Sequence, residues 1–264
     1  MSNTTDEPLP EHVATNRAYW DGMADEWVEN GERAWRREPG QESWGVFGFP
    51  ESDIHMLPDD LAGLDAIELG CGTGYVSAWM TRRGAHVTAI DNSAKQLETA
   101  AQLQRDHGLA FPLIHGNAEH VPLPDASFDF AISEYGAVLW ADPEAWVPEA
   151  ARLLRPGGRL HVLTNSVIAI LCAPDDEDEP ATDRLLRSQY AIRRLVWPAP
   201  DDQSVEFHPT HAEWIRLFTQ NGFEILELLE PQAEPGLDSR HVPGGSHWAT
   251  KWPVEDIWKV RKRG

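Results

Sequence analysis

The chain has 264 residues, of which 41% are hydrophobic and 25% charged, enough apolar material for a substantial core and close to the ~25% charge of an average globular protein. Its 43 acidic residues face 22 basic ones and leave a formal net charge of -21, so a DNA or RNA backbone is repelled across most of the surface and nucleic acid is not expected as a partner. Two cysteines far apart, Cys71 and Cys172, argue against a disulfide framework or a zinc site, and the absence of a basic-then-apolar start or of ~18 consecutive apolar residues argues against signal and membrane-spanning segments. A cytoplasmic protein with no metal and no membrane partner is expected.

Residues 1–10 are polar with Pro8 and Pro10, a frayed leader. From Glu11 to Asn30 the apolar residues Val13, Ala14, Ala18, Tyr19, Met23, Trp27 and Val28 recur at three- and four-residue steps, which predicts an amphipathic helix. A Gly-rich loop with Trp35, Trp44, Phe47 and Phe49 follows, and residues 1–50 together read as an N-terminal helical cap. Strand-like and helix-like patterns then alternate: Leu64–Leu69, Tyr75–Arg83, Ala85–Ile90 and Ala94–Asp106. That alternation predicts βαβ units on a parallel sheet. Further strands are expected near Phe111–His115, Phe128–Ser133 and Arg159–Thr164, a helix over Pro143–Leu154, and a turn at Pro156-Gly157-Gly158.

After Thr164 the alternation is interrupted for more than forty residues, too long for a bare connection. This stretch holds the acidic run Asp175–Glu179 and a predicted helix from Thr182 to Val196 bearing Arg184, Arg187, Arg193 and Arg194. It reads as a lid inserted at about 165–210 into a domain spanning 51–264. A helix over His211–Asn221 and a strand over Phe223–Leu229 resume the pattern. The end of the chain, with Trp248, Trp252 and Trp258, fits a hairpin strand plus helix or a closing helical turn. The basic run Lys259–Arg263 reads as a solvated helix end.

The segment Glu68-Leu69-Gly70-Cys71-Gly72-Thr73-Gly74 places glycines where a strand must turn into its helix. Glycine allows positive φ and removes the Cβ that blocks a close ligand, and the helix start beyond presents unpaired N–H groups able to receive a carboxylate. Dinucleotide enzymes use a related turn with the spacing G-x-G-x-x-G; here the third glycine comes one residue early and Tyr75 holds the dinucleotide position. The second strand ends on Asp91, Gly116-Asn117-Ala118-Glu119 follows the third, Ser133-Glu134 ends the fourth, and Leu154-Arg155-Pro156-Gly157-Gly158 leads into the fifth.

This ordered set, over about residues 64–230, resembles the class I S-adenosylmethionine (SAM)-dependent methyltransferases, especially the small-molecule subset. The resemblance implies an α/β, Rossmann-like sheet of seven mostly parallel strands, helices on both faces, a reversed strand near the C-terminus, and cofactor at the carboxyl ends of the strands. It implies that Glu68 and the backbone of Gly70, Cys71 and Gly72 hold the methionine part of SAM, and that Asp91 binds the ribose with Asn92 and Gln96 beside the adenosine. Asn117, where the family often has Asp, accepts from the adenine amino group; Ala118 offers its N–H, and Glu119 lies alongside. Ser133 and Glu134 stand where the methyl group emerges. Tyr19, Trp20, Trp27 and Trp44 are candidates to close over a sulfonium through their ring faces.

Methyl transfer from a sulfonium mainly requires alignment and exclusion of water, so the acceptor site is less legible. If a proton must be removed, Glu134, Tyr135, His208 and His241 are the candidates, with His211 and His247 nearby in sequence. The expected activity is SAM-dependent methylation of a small molecule, yielding S-adenosylhomocysteine. The alternatives are an NAD(P)-dependent oxidoreductase and a non-catalytic SAM-binding protein. A nucleic-acid methyltransferase is disfavoured, since Ser133-Glu134-Tyr135-Gly136 stands where an Asn/Asp-Pro-Pro-aromatic segment is needed.

Overall fold

The computed structural model describes residues 8–175, 179, 181–197, 203–237 and 245–264. Residues 1–7 of the expected leader, most of the acidic run and His241 lie outside them. Seven strands form one sheet: β1 (Asp65–Leu69), β2 (His86–Asp91), β3 (Leu113–His115), β4 (Phe128–Glu134), β5 (Leu154–Asn165), β6 (Phe223–Leu229) and β7 (Glu255–Lys262). Their order is β6-β7-β5-β4-β1-β2-β3. The pairs β1·β2, β1·β4, β2·β3 and β4·β5 are parallel, while β7 runs antiparallel to both of its neighbours. The chain turns back at β1, so the carboxyl ends of β1 and β4 part to leave the crevice at which such sheets bind ligands.

Besides the short helices Glu51–Ile54 and Gly245–Ala249, the described residues form α1 (Glu11–Trp35), α2 (Tyr75–Arg82), α3 (Ala94–His107), α4 (Ala137–Trp140), α5 (Pro143–Leu153), α6 (Val167–Cys172) and α7 (His211–Gln220). Local capping starts several of them. Ser93 accepts from the Gln96 N–H ahead of α3, Asp142 precedes α5 with Pro143 in its first turn, and Thr210 and Glu213 form a reciprocal capping box on α7. Two apolar layers cover the sheet. Trp79, Met56, Phe130 and Trp44 pack on one face, and Trp146, Trp214, Phe218 and Trp258 on the other. Burial of these rings is the main source of stability.

α1 runs five residues past its expected end, to Trp35, whose indole N–H donates to the Thr73 carbonyl at 2.8 Å. Gly31 makes this possible. A Cβ there would stand 2.6 Å from Thr73 Oγ1, so only glycine lets the helix press onto the glycine turn.

Three expectations are overturned. The described residues of 181–197 hold no helix; only Leu195–Val196 is regular, pairing with Val205–Glu206. Their backbone bonds go elsewhere: the N–H groups of Thr182 and Leu186 donate to the carbonyls of Cys172 and Leu171, and Arg187 binds the Ile170 carbonyl and Asp175. Docking onto α6 thus takes donors that helical i→i−4 bonds require. The basic run is not a helix end but the second half of β7, where Lys259 Nζ donates to the Ile54 carbonyl and Glu227, and Arg261 pairs with Glu224. Pro156-Gly157-Gly158 lies inside the continuous span of β5, beside a register irregularity, with Gly157 at φ 84°. At the C-terminus a short helix, Gly245–Ala249, precedes β7, which is bonded on both sides rather than forming a simple hairpin.

Candidate active site

A cleft at the carboxyl ends of β1, β2 and β4 is lined by Trp27, Glu68, Gly70, Cys71, Gly72, Asp91, Asn92, Gln96, Asn117, Ala118, Glu134 and Tyr135, all singled out from the sequence. Trp20 also lines it. Asn16, Tyr75, Gly136 and Trp140 complete much of the wall without having been anticipated as site residues.

The floor is the turn from β1 into α2. Gly70, Gly72 and Gly74 have φ of 79°, 50° and 74°, the left-handed region that glycine enters without strain. Gly70 is also sterically required, since a Cβ would meet the Ala137 backbone nitrogen at 2.5 Å. Gly72 differs: its Cβ would find no protein atom nearer than Gln96 Oε1 at 3.9 Å and would project into the open cleft. Several amides along this turn are already paired. The N–H groups of Gly70 and Cys71 donate to the Ile90 carbonyl, that of Gly72 to Asp91 Oδ2 at 2.7 Å, and that of Ser77 to Glu68 Oε2 at 2.8 Å. These donors shape the turn and are spent on it.

Asp91 accepts from Gly72 on one oxygen and from Ser93 N–H, 2.8 Å away, on the other. Each oxygen retains acceptor capacity. Asn92 turns its amide toward α1, donating to the Val13 carbonyl and accepting from Arg17. Gln96 is buried, and its Oε1 has no hydrogen-bond partner. Such an atom is costly to leave unpaired, by roughly 1–3 kcal/mol, and a ligand hydroxyl or amino group in the cleft would pair it.

The roof is α1 with α4. Asn16 donates to the carbonyls of Trp140 and Val205 and accepts from Val205 N–H. Trp20 sits edge-on to Trp140, with ring centroids 5.0 Å apart, and tilted against Trp27 at 5.8 Å. Tyr19 stacks on Trp140 without lining the cleft, and Trp44 is a core residue bonded to Glu51. Glu119 and Ser133 are likewise not among the lining residues. Glu119 ties His12 to the Asp142 N–H, and Ser133 Oγ donates to the Leu69 carbonyl while accepting from Val138 N–H. Both hold the loops around the cleft. His208 is buried against Glu206 and does not line the cleft either.

At the far end, Glu134 accepts from Gly45 N–H at 2.9 Å and from the Tyr75 hydroxyl at 2.6 Å. Tyr135, at φ 48°, donates to Glu255 Oε1 at 2.6 Å. Glu255 heads β7 and also accepts from Val46 N–H, while its other oxygen is buried without a partner. Nothing in the local sequence pairs position 255 with 135; only the β7 register brings them together. Burial dominates the electrostatics. It pushes Glu68 and Glu255 up to about 8, despite hydrogen bonds that oppose it, and raises Asp91 and Glu134 for the same reason. Burial, reinforced by Glu134 and Glu255 respectively, also raises the phenols of Tyr75 and Tyr135, so Tyr135 is held as a neutral donor. Burial raises the Cys71 thiol too, which keeps it inert as a nucleophile. None of the residues lining the cleft is Lys, Arg or His, whereas Glu68, Asp91 and Glu134 are acids.

Comparison with known proteins agrees with this geometry. A family model described as a methyltransferase domain matches residues 67–162. An uncharacterised methyltransferase of Mycobacterium tuberculosis is 37% identical over 118 residues, 44% of this chain and 45% of its own. The malonyl-[acyl-carrier protein] O-methyltransferase of Serratia marcescens is 38% identical over 96 residues, 36% of each chain. The matched regions thus span less than half the length of these relatives. In three dimensions, an S-adenosylmethionine-dependent methyltransferase from Mesorhizobium loti aligns with TM-score 0.63 and 24% identity over 83% of this chain and all of that one, a likeness of fold. Residues 67–162 thus match a methyltransferase domain, and the seven-stranded sheet with its reversed β7 and glycine-floored cleft has the fold of the Mesorhizobium loti S-adenosylmethionine-dependent methyltransferase.

Proposed function

We propose that the protein transfers a methyl group from SAM to a small-molecule acceptor. The observation that carries this reading is the acidic character of the cleft, whose lining residues include Asp91, Glu134 and a Glu68 that burial keeps largely protonated, and no basic side chain. The anionic pyrophosphate of NAD(P) needs free backbone N–H groups or cations, and here the amides of Gly70, Cys71 and Gly72 are already committed. A sulfonium with an ammonium group suits such a surface, and the faces of Trp20, Trp27 and Trp140 add to the attraction.

In this reading Glu68 fixes the turn through Ser77, and Asp91 accepts from the ribose hydroxyls. Gln96 Oε1 gains its missing donor from the adenosine, and Asn117 and Ala118 face the base. SAM, when bound, supplies a methyl group already activated by its positive sulfur. The protein aligns the acceptor and excludes water, with α1 as the cap, held in place by Asn16 on the Val205 backbone. Glu134 and the neutral Tyr135 hydroxyl orient the acceptor near the methyl group. The O-methyltransferase among the relatives directs the first acceptor screen toward hydroxyl and carboxyl compounds, with amines and carbon nucleophiles next. The acidic composition disfavours nucleic-acid acceptors. No helix among the described residues is long and apolar enough to cross a membrane, which accords with a cytoplasmic enzyme.

Calorimetry with SAM, S-adenosylhomocysteine, NAD and NADP tests the cofactor; binding of a pyridine nucleotide in place of SAM overturns the reading. Incubating cell extract with methyl-labelled SAM tests the activity. Label in a small molecule is the expected result. SAM binding without transfer to any compound would instead identify a non-catalytic SAM-binding protein.

A further inference from the structure

β7 opens with two adjacent acids that alternation sends to opposite faces of the sheet. Glu255 serves Tyr135 on one face. Asp256 points to the other and is 1% exposed. Its Oδ2 lies 2.8 Å from His211 Nε2 at the first position of α7, and Glu230, directly after β6, stands close by. One ligand atom from each of His211, Glu230 and Asp256 lies within 4.8 Å of the other two.

A second observation marks this as more than an ion pair. The remaining oxygen of Asp256, Oδ1, is buried with no hydrogen-bond partner. Directly opposite Asp256 in the β5–β7 ladder is Thr164, 3% exposed, whose Oγ1 is also buried and unpartnered. Directly paired residues share a face of the sheet, so Thr164 and its unpartnered hydroxyl lie on the same face as Asp256. The His211 ring is held edge-on against Trp258, with centroids 5.7 Å apart, which fixes its orientation.

We propose that His211, Glu230 and Asp256 bind a divalent cation of the zinc class. An imidazole with two carboxylates suits Zn²⁺, whereas Ca²⁺ and Mg²⁺ take oxygen ligands alone. Bonds of ~2.0–2.1 Å in tetrahedral geometry set ligand atoms roughly 3.3 Å apart. His211 and Asp256 need to part slightly from 2.8 Å, and the exposed Glu230 swings in from its present distance. Three protein ligands leave a fourth position for water, and the ion ties the start of α7, the end of β6 and the start of β7 together. This site is separate from the cofactor cleft and does not depend on the methyltransferase reading.

The test is a titration of EDTA-dialysed full-length protein with Zn²⁺ against a chromophoric competitor. One equivalent should bind at micromolar or tighter affinity, with E230Q weakening it at least tenfold and D256N at least 100-fold. Because Glu230 is exposed, E230Q retains the fold, and its far-UV circular dichroism should match the parent. Zn²⁺ should also raise the melting temperature of the parent more than that of E230Q. Absence of stoichiometric binding by the parent, or equal binding by parent and E230Q, overturns the assignment and leaves His211–Asp256 as a structural ion pair.

Discussion

The floor and the roof of the cleft are built in different ways. Glu68, Gly70, Gly72, Asp91 and Gln96 form the floor from one short stretch, held by backbone bonds between neighbouring strands and the helices that follow them. The roof takes Asn16, Trp20 and Trp27 from α1, Trp140 from α4, and contacts to Val205 nearly two hundred residues away. A floor of that kind tolerates almost no added atoms because its shape is its function. The roof works through ring area and can lose one ring without losing the site.

Four experiments sharpen that contrast, beginning with the largest expected effect. Gly72→Leu puts a side chain into the space the cofactor needs. SAM affinity measured by calorimetry should fall ~100-fold or more, equivalent to about 2.8 kcal/mol, and unchanged affinity would place the ligand elsewhere. Asp91→Ala removes the proposed ribose acceptor and orphans the amides of Gly72 and Ser93. A loss of roughly tenfold or more in SAM affinity should accompany a stability decrease of about 1–3 kcal/mol in urea unfolding. Trp27→Ala, in the roof, should cost only ~0.5–2 kcal/mol of SAM binding. An effect as large as that of Gly72→Leu would show that roof and floor are equally exacting.

The smallest effect concerns pH. Glu255 holds its proton up to about 8 in the folded chain, against an ordinary value of 4.5. Folding therefore takes up a proton between those values, and the associated stability is present in acid and lost as pH rises through about 8. The melting temperature should fall between about pH 5 and pH 9, and the fall should be smaller in Glu255→Gln. An identical pH profile for both proteins would mean that Glu255 is ionised throughout.

The glycine turn, the acid ending β2, and the boundaries of α2, α3, β6 and α7 were legible because each rests on local chemistry: positive φ, a cap, an apolar period. The helix expected over 182–196 failed because its backbone donors find carbonyls in α6 rather than in its own preceding turn. Tyr19 and Ser133 were expected at the cofactor from their places in the chain; their directions are set by Trp140 in one case and by Leu69 and Val138 in the other.

What the sequence by itself determined is the floor and the identity of the fold, because a sharp strand-to-helix turn beside an acid-ended strand is specified by residues close together in the chain. Only the tertiary structure decided the roof, the pairing of Tyr135 with Glu255, and the meeting of His211, Glu230 and Asp256. Those contacts depend on the register of β7 between β5 and β6 and on the docking of α1. Long-range packing fixes such relations, and a single sequence carries no local mark of them.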